Sequence, residues 1–279
     1  SGVFAYRAAP VQINYLGYPG TMGADFLDYI IADQNLIPRE SQKYYFEKPI
    51  YLPHHYQAQD DTLHISDDTP SRSELGLPDD GFVFCAINNT YKITPPTFSS
   101  WMNILKEVDE SVLWLFESNK NSVKNLKKEA VKFGVKESRL IFASHMPLED
   151  HLNRIRLADL FLDTHPYNAH TTCSDALRVG VPVITYLGES FASRVAGSLL
   201  KALNLPELIT NTPEEYEALA IELATNPEKL KAIKEKLASN LSTAPLYDTK
   251  LFVKNLESAF TSMYERHHKG LEPDHIYVE

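Results

Sequence analysis

From residue 82 onward, apolar runs of strand length alternate with longer segments whose apolar residues recur at helical spacing. The runs are FVFCAI (82–87), SVLWLF (111–116), RLIFA (139–143), LFLD (160–163) and PVITY (182–186). They are nearly continuous rather than alternating, as expected of strands covered on both faces in a parallel sheet. Between them, Phe98, Trp101, Met102 and Leu105 recur at helix-like intervals, and a charged helix is predicted from Lys124 to Phe133. Further helical patterns follow at 191–203, 213–225, 228–240 and 249–268. The last offers Leu251, Phe252, Leu256, Phe260, Met263 and Tyr264 to one broad apolar face. The pattern predicts an α/β fold with a doubly wound, Rossmann-like parallel sheet, whose ligands lie outside the carboxyl ends of the strands. The loops after Ile87, Ala143, Asp163 and Tyr186 are therefore where chemistry is expected.

Ahead of this region the pattern is looser. VQINYL (11–16) can form a strand, and the loop after it carries Gly17, Gly20 and Gly23 in the spacing Gly-x-x-Gly-x-x-Gly. This is not the dinucleotide fingerprint, but it serves either a tight connection or a close approach of backbone to ligand. An apolar run from Phe26 to Ile31 and short extended pieces broken by Pro49 and Pro53 resemble the last units of another α/β lobe. Residues 57–81 are rich in Asp, Ser, Thr, Pro and Gly and read as a surface loop or linker. The expected division is residues 1–75 as the remainder of an N-terminal lobe with its linker, 76–245 as the C-terminal lobe, and 246–279 as a helix packing back on the first lobe.

Composition narrows the function. The chain has 279 residues, 43% hydrophobic and 23% charged, which fits a soluble globular protein. A net charge of −10 argues against a general nucleic-acid binder, which needs clustered Lys and Arg. Cys85 and Cys173 are far apart and give no metal-ligand spacing, so a reduced, cytoplasmic setting is expected. No apolar run approaches the ~18–20 residues of a membrane span, and the start lacks signal-peptide form. The chain begins at Ser1, close to a strand-like run, as a fragment whose upstream part is missing would. His54 with His55 and His267 with His268 are adjacent pairs that share neither a helical face nor a strand side, and no metal site is expected.

The richest stretch is HPYNAHTTCSDALRVGVPVITY (165–186), which reads as loop, short helix, Gly stop and strand. Thr171, Thr172 and Ser174 can accept from the free N–H groups of a helix start, with Asp175 in the first turn. Alone, this reads first as an ordinary capped helix, though the same N–H groups with the positive end of the dipole also suit a phosphate. Lys92, near Asn89 in the loop after the first regular strand, can neutralise such a phosphate. His151 and Arg154, three apart after the third strand, share a helical face and offer a ring and a donor fork to a base and its sugar-phosphate. Together these three loops point to a nucleotide-diphosphate site.

LGYPGTMGADFLDYIIAD, NNTYKITPPTF, LDTHPYNAHTTCSDALRVGVPVIT, GESFASRVAGSLL and LEPDH together resemble the catalytic region of the O-GlcNAc transferase family, with its bacterial and SPINDLY-like relatives, across almost the whole chain. The resemblance implies a GT-B architecture of two Rossmann-like lobes, with helical TPR repeats upstream in the full-length protein. It also implies metal-independent, inverting transfer of a sugar, N-acetylglucosamine or a related hexose, from a UDP-sugar to a Ser or Thr hydroxyl of a protein or peptide, in a protein of bacterial type. By the same resemblance Lys92 is catalytic and offsets diphosphate charge. Asn89 belongs to the same motif, and Thr171 and Thr172 bind phosphate beside His170. His151 packs against uracil, Arg154 contacts that base and Asp175 accepts from ribose hydroxyls. Gly17, Pro19, Gly20 and Tyr167 lie on the sugar side. The chain departs from animal relatives at Asn89 (Gln there), Leu148 (a ribose-contacting Lys there), and at Tyr167 and Ala169, where smaller residues stand. Two other functions share the UDP site: a GT-B enzyme acting on a saccharide, lipid or small acceptor, and a UDP-binding module without turnover.

Overall fold

A computed structural model describes residues 2–66 and 68–279. The chain opens with β1 (Ile13–Asn14), β2 (Tyr29–Ala32) and β3 (Lys48–Tyr51). Then follow β4 (Val83–Ala86), α1 (Pro95–Glu107), β5 (Val112–Phe116), α2 (Lys120–Lys132), β6 (Leu140–Ala143), α3 (Leu148–Ile155), β7 (Leu160–Leu162), α4 (Thr171–Arg178) and β8 (Val183–Tyr186). The chain ends with α5 (Val195–Ala202), β9 (Ile209–Thr210), α6 (Pro213–Thr225), α7 (Pro227–Leu241), α8 (Thr249–His268) and β10 (Ile276–Tyr277).

The strands form two parallel sheets. The larger has the order β6-β5-β4-β7-β8-β9 and the smaller β1-β2-β3-β10. In the larger sheet the chain winds outward from β4 to β6, then returns to β7 on the other side of β4. The order therefore reverses between β4 and β7, and the loops leaving these two strands open a crevice. Every residue of β4 and β7 is buried, which explains their unbroken apolar sequence. The main core runs from Phe84, Trp101 and Trp114 through Phe161 and Leu177 to Tyr216. Both cysteines are free and buried within it.

Several local expectations are corrected. The strand expected at 11–16 shortens to Ile13–Asn14, because its pairing with β2 covers only Tyr29 and Ile30. The helix expected at Lys124 starts at Lys120, capped by Asn119, whose side chain accepts from the Ser122 N–H at 2.9 Å. The pattern at 191–203 splits into a 3-10 turn at Phe191–Ser193 and α5, with Arg194 at φ −124° between them. The segment 57–81 contains a 3-10 turn at Ser73–Leu75, and Arg72 ties it to the larger sheet through Asp159 at 2.9 Å and the Leu157 carbonyl at 3.0 Å. Asp67 of that segment, and Ser1, lie outside the described residues.

α8 lies on the smaller sheet, where Phe252, Ala259 and Met263 pack with Tyr29, Ile31 and Ile50. Its buried stripe is narrower than the sequence pattern implied: Phe260 and Tyr264 are exposed because their azimuth falls one residue beyond that stripe. Beyond α8, β10 pairs with β3, stacking Tyr277 on Tyr51 at 4.9 Å. Contacts between the two sheets' layers are partly polar. Ser198 donates to the buried carboxylate of Asp33 at 2.6 Å, and Lys201 reaches the Asn35 side chain at 2.8 Å. Burial raises the Asp33 pKa to about 6, although the Ser198 hydroxyl and the Asn35 and Leu36 amides pull it down.

Candidate functional site

Three loops meet at the crevice between β4 and β7. The first leaves β4 through Asn88 and Asn89 into a 3-10 turn, Thr90–Lys92. Lys92 is half-buried, donates from Nζ to the Asn168 carbonyl at 2.8 Å, and lies 4.3 Å from the centroid of the Tyr167 ring. Burial lowers its pKa, opposed by the negative charge of Asp163. Such a cation gains from any anion that enters its surroundings.

The second loop leaves β7 at Asp163 and is folded around that carboxylate. One oxygen of Asp163 accepts from the N–H groups of Thr164 at 2.8 Å and Ala169 at 2.6 Å. The other accepts from the Thr185 hydroxyl at 2.7 Å. Burial raises the Asp163 pKa to about 7 against these hydrogen bonds and the Lys92 charge. The resulting turn presents Tyr167, whose ring stacks on His170 at 4.9 Å and meets Tyr91 edge-on at 6.2 Å.

His170 then occupies the N-cap position of α4, without a side-chain cap. Its Nε2 lies 3.1 Å from the Ala192 carbonyl, and its pKa falls to about 4, mainly through burial and further through Lys92. Two of the three hydroxyls expected to cap this helix are used elsewhere. Thr172 donates to Asn88 at 2.5 Å and Ser174 to Gln59 at 2.7 Å. The N–H groups of Cys173 and Ser174 both bond to the His170 carbonyl at 3.1 Å, while those of Thr171 and Thr172 have no acceptor among the described residues. Two donors are thus left at the positive end of the helix, the arrangement that binds phosphate. Asp175, expected in the first turn, falls in the second, because α4 begins at Thr171. At the far end Gly180 adopts φ +85°, and Gly180 and Val181 donate back to Leu177 at 3.0 Å and Ala176 at 2.9 Å, the Schellman closure that the Gly stop anticipated.

The third loop follows β6 and leads into α3. Arg154 is buried, and its Nε and Nη2 point at Nδ1 of His151 at 3.1 and 2.8 Å. A guanidinium only donates, so Nδ1 is the acceptor and the imidazole carries its hydrogen on Nε2. Burial lowers the His151 pKa to about 4, with Arg154 and His145 adding to the effect. The fork of Arg154 is thus partly spent on orienting the ring.

Two adjoining cavities run through these residues. One, of about 360 Å³, is walled by Ile87, Phe116, Met146, Pro147 and Leu148, with Asn89, His145, His151, Arg154 and Thr172 as its polar lining. Its apolar walls and few directed polar groups suit a flat heterocycle. The second, of about 350 Å³, lies between the lobes and is lined by Leu16, Gln57, His170, Thr171, Asp175 and Arg178 among others. Leu148 borders both. Asp175 is mostly buried, with its pKa raised to about 6 by desolvation against the pull of Arg178.

The structure therefore brings together Asn89, Lys92, His151, Arg154, Tyr167, His170, Thr171, Thr172 and Asp175. Lys92 and Tyr167 stand beside the cavities rather than in their lining, joined to them through Asn168 and His170. Gly17, Pro19 and Gly20 also line neither cavity, whereas Leu16 does. Their loop is held by Glu47, which accepts from the Thr21 hydroxyl at 2.5 Å and the Met22 N–H at 2.7 Å. Sequence reasoning placed Asn88 in the loop after the first regular strand but missed the role of Asp163. A carboxylate closing the buried run LFLD was the available signal for Asp163. Among the described residues, no three His, Cys, Asp or Glu side chains come together as a metal-ligand set.

Two parallel α/β lobes with a crevice at the carboxyl ends of the larger sheet define a GT-B fold, and comparison with known proteins agrees. The chain belongs to glycosyl transferase family 41, whose profile matches residues 1–67 and 65–256. It is 40% identical over 283 residues to a probable UDP-N-acetylglucosamine–peptide N-acetylglucosaminyltransferase, SEC, of Arabidopsis thaliana, covering 99% of this chain and 29% of that protein. It is 28% identical to the UDP-N-acetylglucosamine–peptide N-acetylglucosaminyltransferase of Caenorhabditis elegans, over 98% of this chain and 33% of that one. Among solved structures, an O-GlcNAc transferase mutant of Thermobaculum terrenum superposes with a TM-score of 0.84 at 31% identity, covering 94% of this chain and 49% of that one. The chain thus spans about a third of the length of these curated relatives.

Proposed function

We propose that this chain belongs to a UDP-sugar-dependent glycosyltransferase that moves N-acetylglucosamine, or a related hexose, onto Ser or Thr hydroxyls of proteins by metal-independent, inverting transfer. The observation that carries the reading is the convergence of Lys92 with the unengaged N–H groups of Thr171 and Thr172 at the β4/β7 crevice. In this reading uracil enters the 360 Å³ cavity beside His151, whose Nε2–H faces an acceptor on the base. The diphosphate meets the start of α4, and the sugar lies toward Tyr167. When the acceptor hydroxyl attacks the anomeric carbon, the bond to the β-phosphate oxygen breaks with its electron pair staying on UDP, and the hydroxyl proton leaves to solvent. Lys92 and the two amides are placed to stabilise that developing charge without reorganising.

The peptide acceptor is supported by the names of the Arabidopsis and Caenorhabditis relatives. A bacterial source, a cytoplasmic location and TPR repeats ahead of this region in the full-length protein complete the proposal. No helix among the described residues is long and apolar enough to cross a membrane. The test is transfer by the full-length protein from a panel of radiolabelled UDP-sugars to Ser/Thr peptides, with alkali-labile label in peptide as the expected result. Label confined to glycan or lipid would replace the protein acceptor with a smaller one. UDP binding without any transfer would reduce the protein to a binding module.

A further inference from the structure

We infer that Asp163 is a positioning residue for Lys92 and acts on it through a single peptide group, the one joining Asn168 to Ala169. The inference rests on the UDP-donor reading, in which Lys92 meets the diphosphate, and adds what holds that cation ready. The carbonyl of Asn168 accepts from Lys92 Nζ at 2.8 Å, and the N–H at the other end of the same peptide, on Ala169, donates to the Asp163 carboxylate at 2.6 Å. Carboxylate, peptide and ammonium thus form a relay joined by hydrogen bonds rather than by a direct ion pair. A negative charge at the N–H end of a peptide polarises it and makes its carbonyl a stronger acceptor for a cation. Water screens this relay little, because Asp163 is 3% and Asn168 0% exposed.

The surroundings fix the carboxylate and leave it and Lys92 as the opposed charges. Asp163 also accepts from the Thr164 N–H at 2.8 Å and the Thr185 hydroxyl at 2.7 Å, and its own carbonyl accepts from the Tyr216 hydroxyl at 3.0 Å. The other ionisable groups facing the pair are Cys173 and His170 at α4, Tyr186 of β8, Tyr216 of α6, and Tyr167. Burial pushes the thiol and the three phenols up and His170 down to about 4, so all five are neutral at neutral pH. Asp163 in turn raises the pKa of Lys92, and Lys92 lowers that of Asp163, each against the desolvation of its partner. Lys92 therefore reaches the leaving diphosphate already charged and already oriented, which is the condition for stabilising charge without reorganisation.

The test is carbon-13 NMR titration of the Lys92 side chain in the whole chain without nucleotide, its signal assigned by loss in Lys92→Ala. Asp163→Asn keeps the shape and an oxygen for the two N–H groups while removing the charge, and Thr185→Val disturbs the same carboxylate while keeping its charge. Lys92 is expected to titrate about one pH unit lower in Asp163→Asn and at the wild-type position in Thr185→Val. The coupling is reciprocal, so in Lys92→Ala the Asp163 carboxyl carbon is expected to titrate about one pH unit higher, a reading that does not depend on Asp163→Asn folding. Unchanged titration at either end, or an equal shift of Lys92 in Thr185→Val, overturns the inference. In the full-length protein Asp163→Asn is expected to lower kcat about tenfold with little change in KM for the UDP-sugar, and to add no further loss in the Lys92→Ala background. Equal losses in the two backgrounds overturn the positioning role. Absence of transfer by the wild type is a different result, which removes the donor reading and the catalytic meaning of the relay, whereas the titrations need no nucleotide and decide the relay itself.

Discussion

The ammonium of Lys92 lies 4.3 Å from the centroid of the Tyr167 ring and is anchored at 2.8 Å to the carbonyl of the next residue, Asn168. A cation from the β4 loop is thus held by the β7 loop, across the point where the strand order reverses. Lys92→Ala is expected to weaken UDP binding by about 10- to 100-fold, the range of a lost charge-assisted hydrogen bond. Calorimetry on the folded variant checks this, and unchanged affinity would remove Lys92 from the site.

Thr172 makes a separable contribution. Its hydroxyl is spent on Asn88, whereas its backbone N–H is the group offered to a ligand. Thr172→Val leaves the N–H in place, so UDP affinity is expected to fall by less than in Lys92→Ala. The Thr172→Ser variant is expected to bind like the wild type. A loss in Thr172→Val as large as that in Lys92→Ala would show that the hydroxyl itself contacts the nucleotide.

His151 is expected to stay neutral, with hydrogen on Nε2, down to about pH 5, because its pKa is lowered to about 4 by burial and by Arg154. Nitrogen-15 NMR of the ring reads both the tautomer and the titration. The linkage sign follows: between pH 6.5 and about 4 the unfolded chain binds a proton at this position and the folded chain does not. This group therefore lowers stability as pH falls through that window, and His170, also lowered to about 4, acts in the same direction. Asp163 and Asp175, raised to about 7 and about 6, act in the opposite direction, since the folded chain takes up their protons first. Protonation of His151 above pH 6 would contradict the hydrogen-bonded geometry.

Ser198→Ala tests the polar join between the lobes. It removes a donor at 2.6 Å from the buried Asp33 carboxylate, and the expected cost is about 1.5–3 kcal/mol in denaturant unfolding. The pKa of Asp33 should rise further at the same time. A stability within experimental error of the wild type would show that Asp33 is already protonated or otherwise satisfied.

Gly180→Ala isolates a backbone effect. The residue is at φ +85°, and an added Cβ would meet nothing within 4 Å. The expected loss is therefore only the left-handed backbone penalty, about 1–2 kcal/mol. Thermal unfolding gives the value, and a much larger loss would point to a packing contact instead.

The larger sheet was legible because β4, β5, β7 and β8 are buried on both faces and so carry continuous apolar sequence. The smaller sheet was legible only in outline, as a strand-like run at 11–16 and short extended pieces, since β1 and β10 are two residues each and pair at edges where little apolar pattern is required. The candidate site was legible where chemistry and position coincide. Lys92, the His151–Arg154 pair and Thr171–Thr172 all follow strands of one sheet. What could not be read was how their hydrogen bonds are distributed. Thr172 and Ser174 looked like helix caps, but tertiary partners 84 and 115 residues away claim their hydroxyls and leave the backbone N–H groups open. Likewise Asp163 was visible as a strand end, but its role in folding the loop that carries Tyr167 depends on Thr185, a partner on the next strand.

The central claim is that the β4/β7 crevice takes a uridine diphosphate, and titration calorimetry of the chain with UDP tests it most directly. One molecule of UDP per chain is expected, with affinity reduced at least tenfold in Lys92→Ala. Well-folded protein that shows no heat of binding, or equal binding by the wild type and Lys92→Ala, would contradict the account.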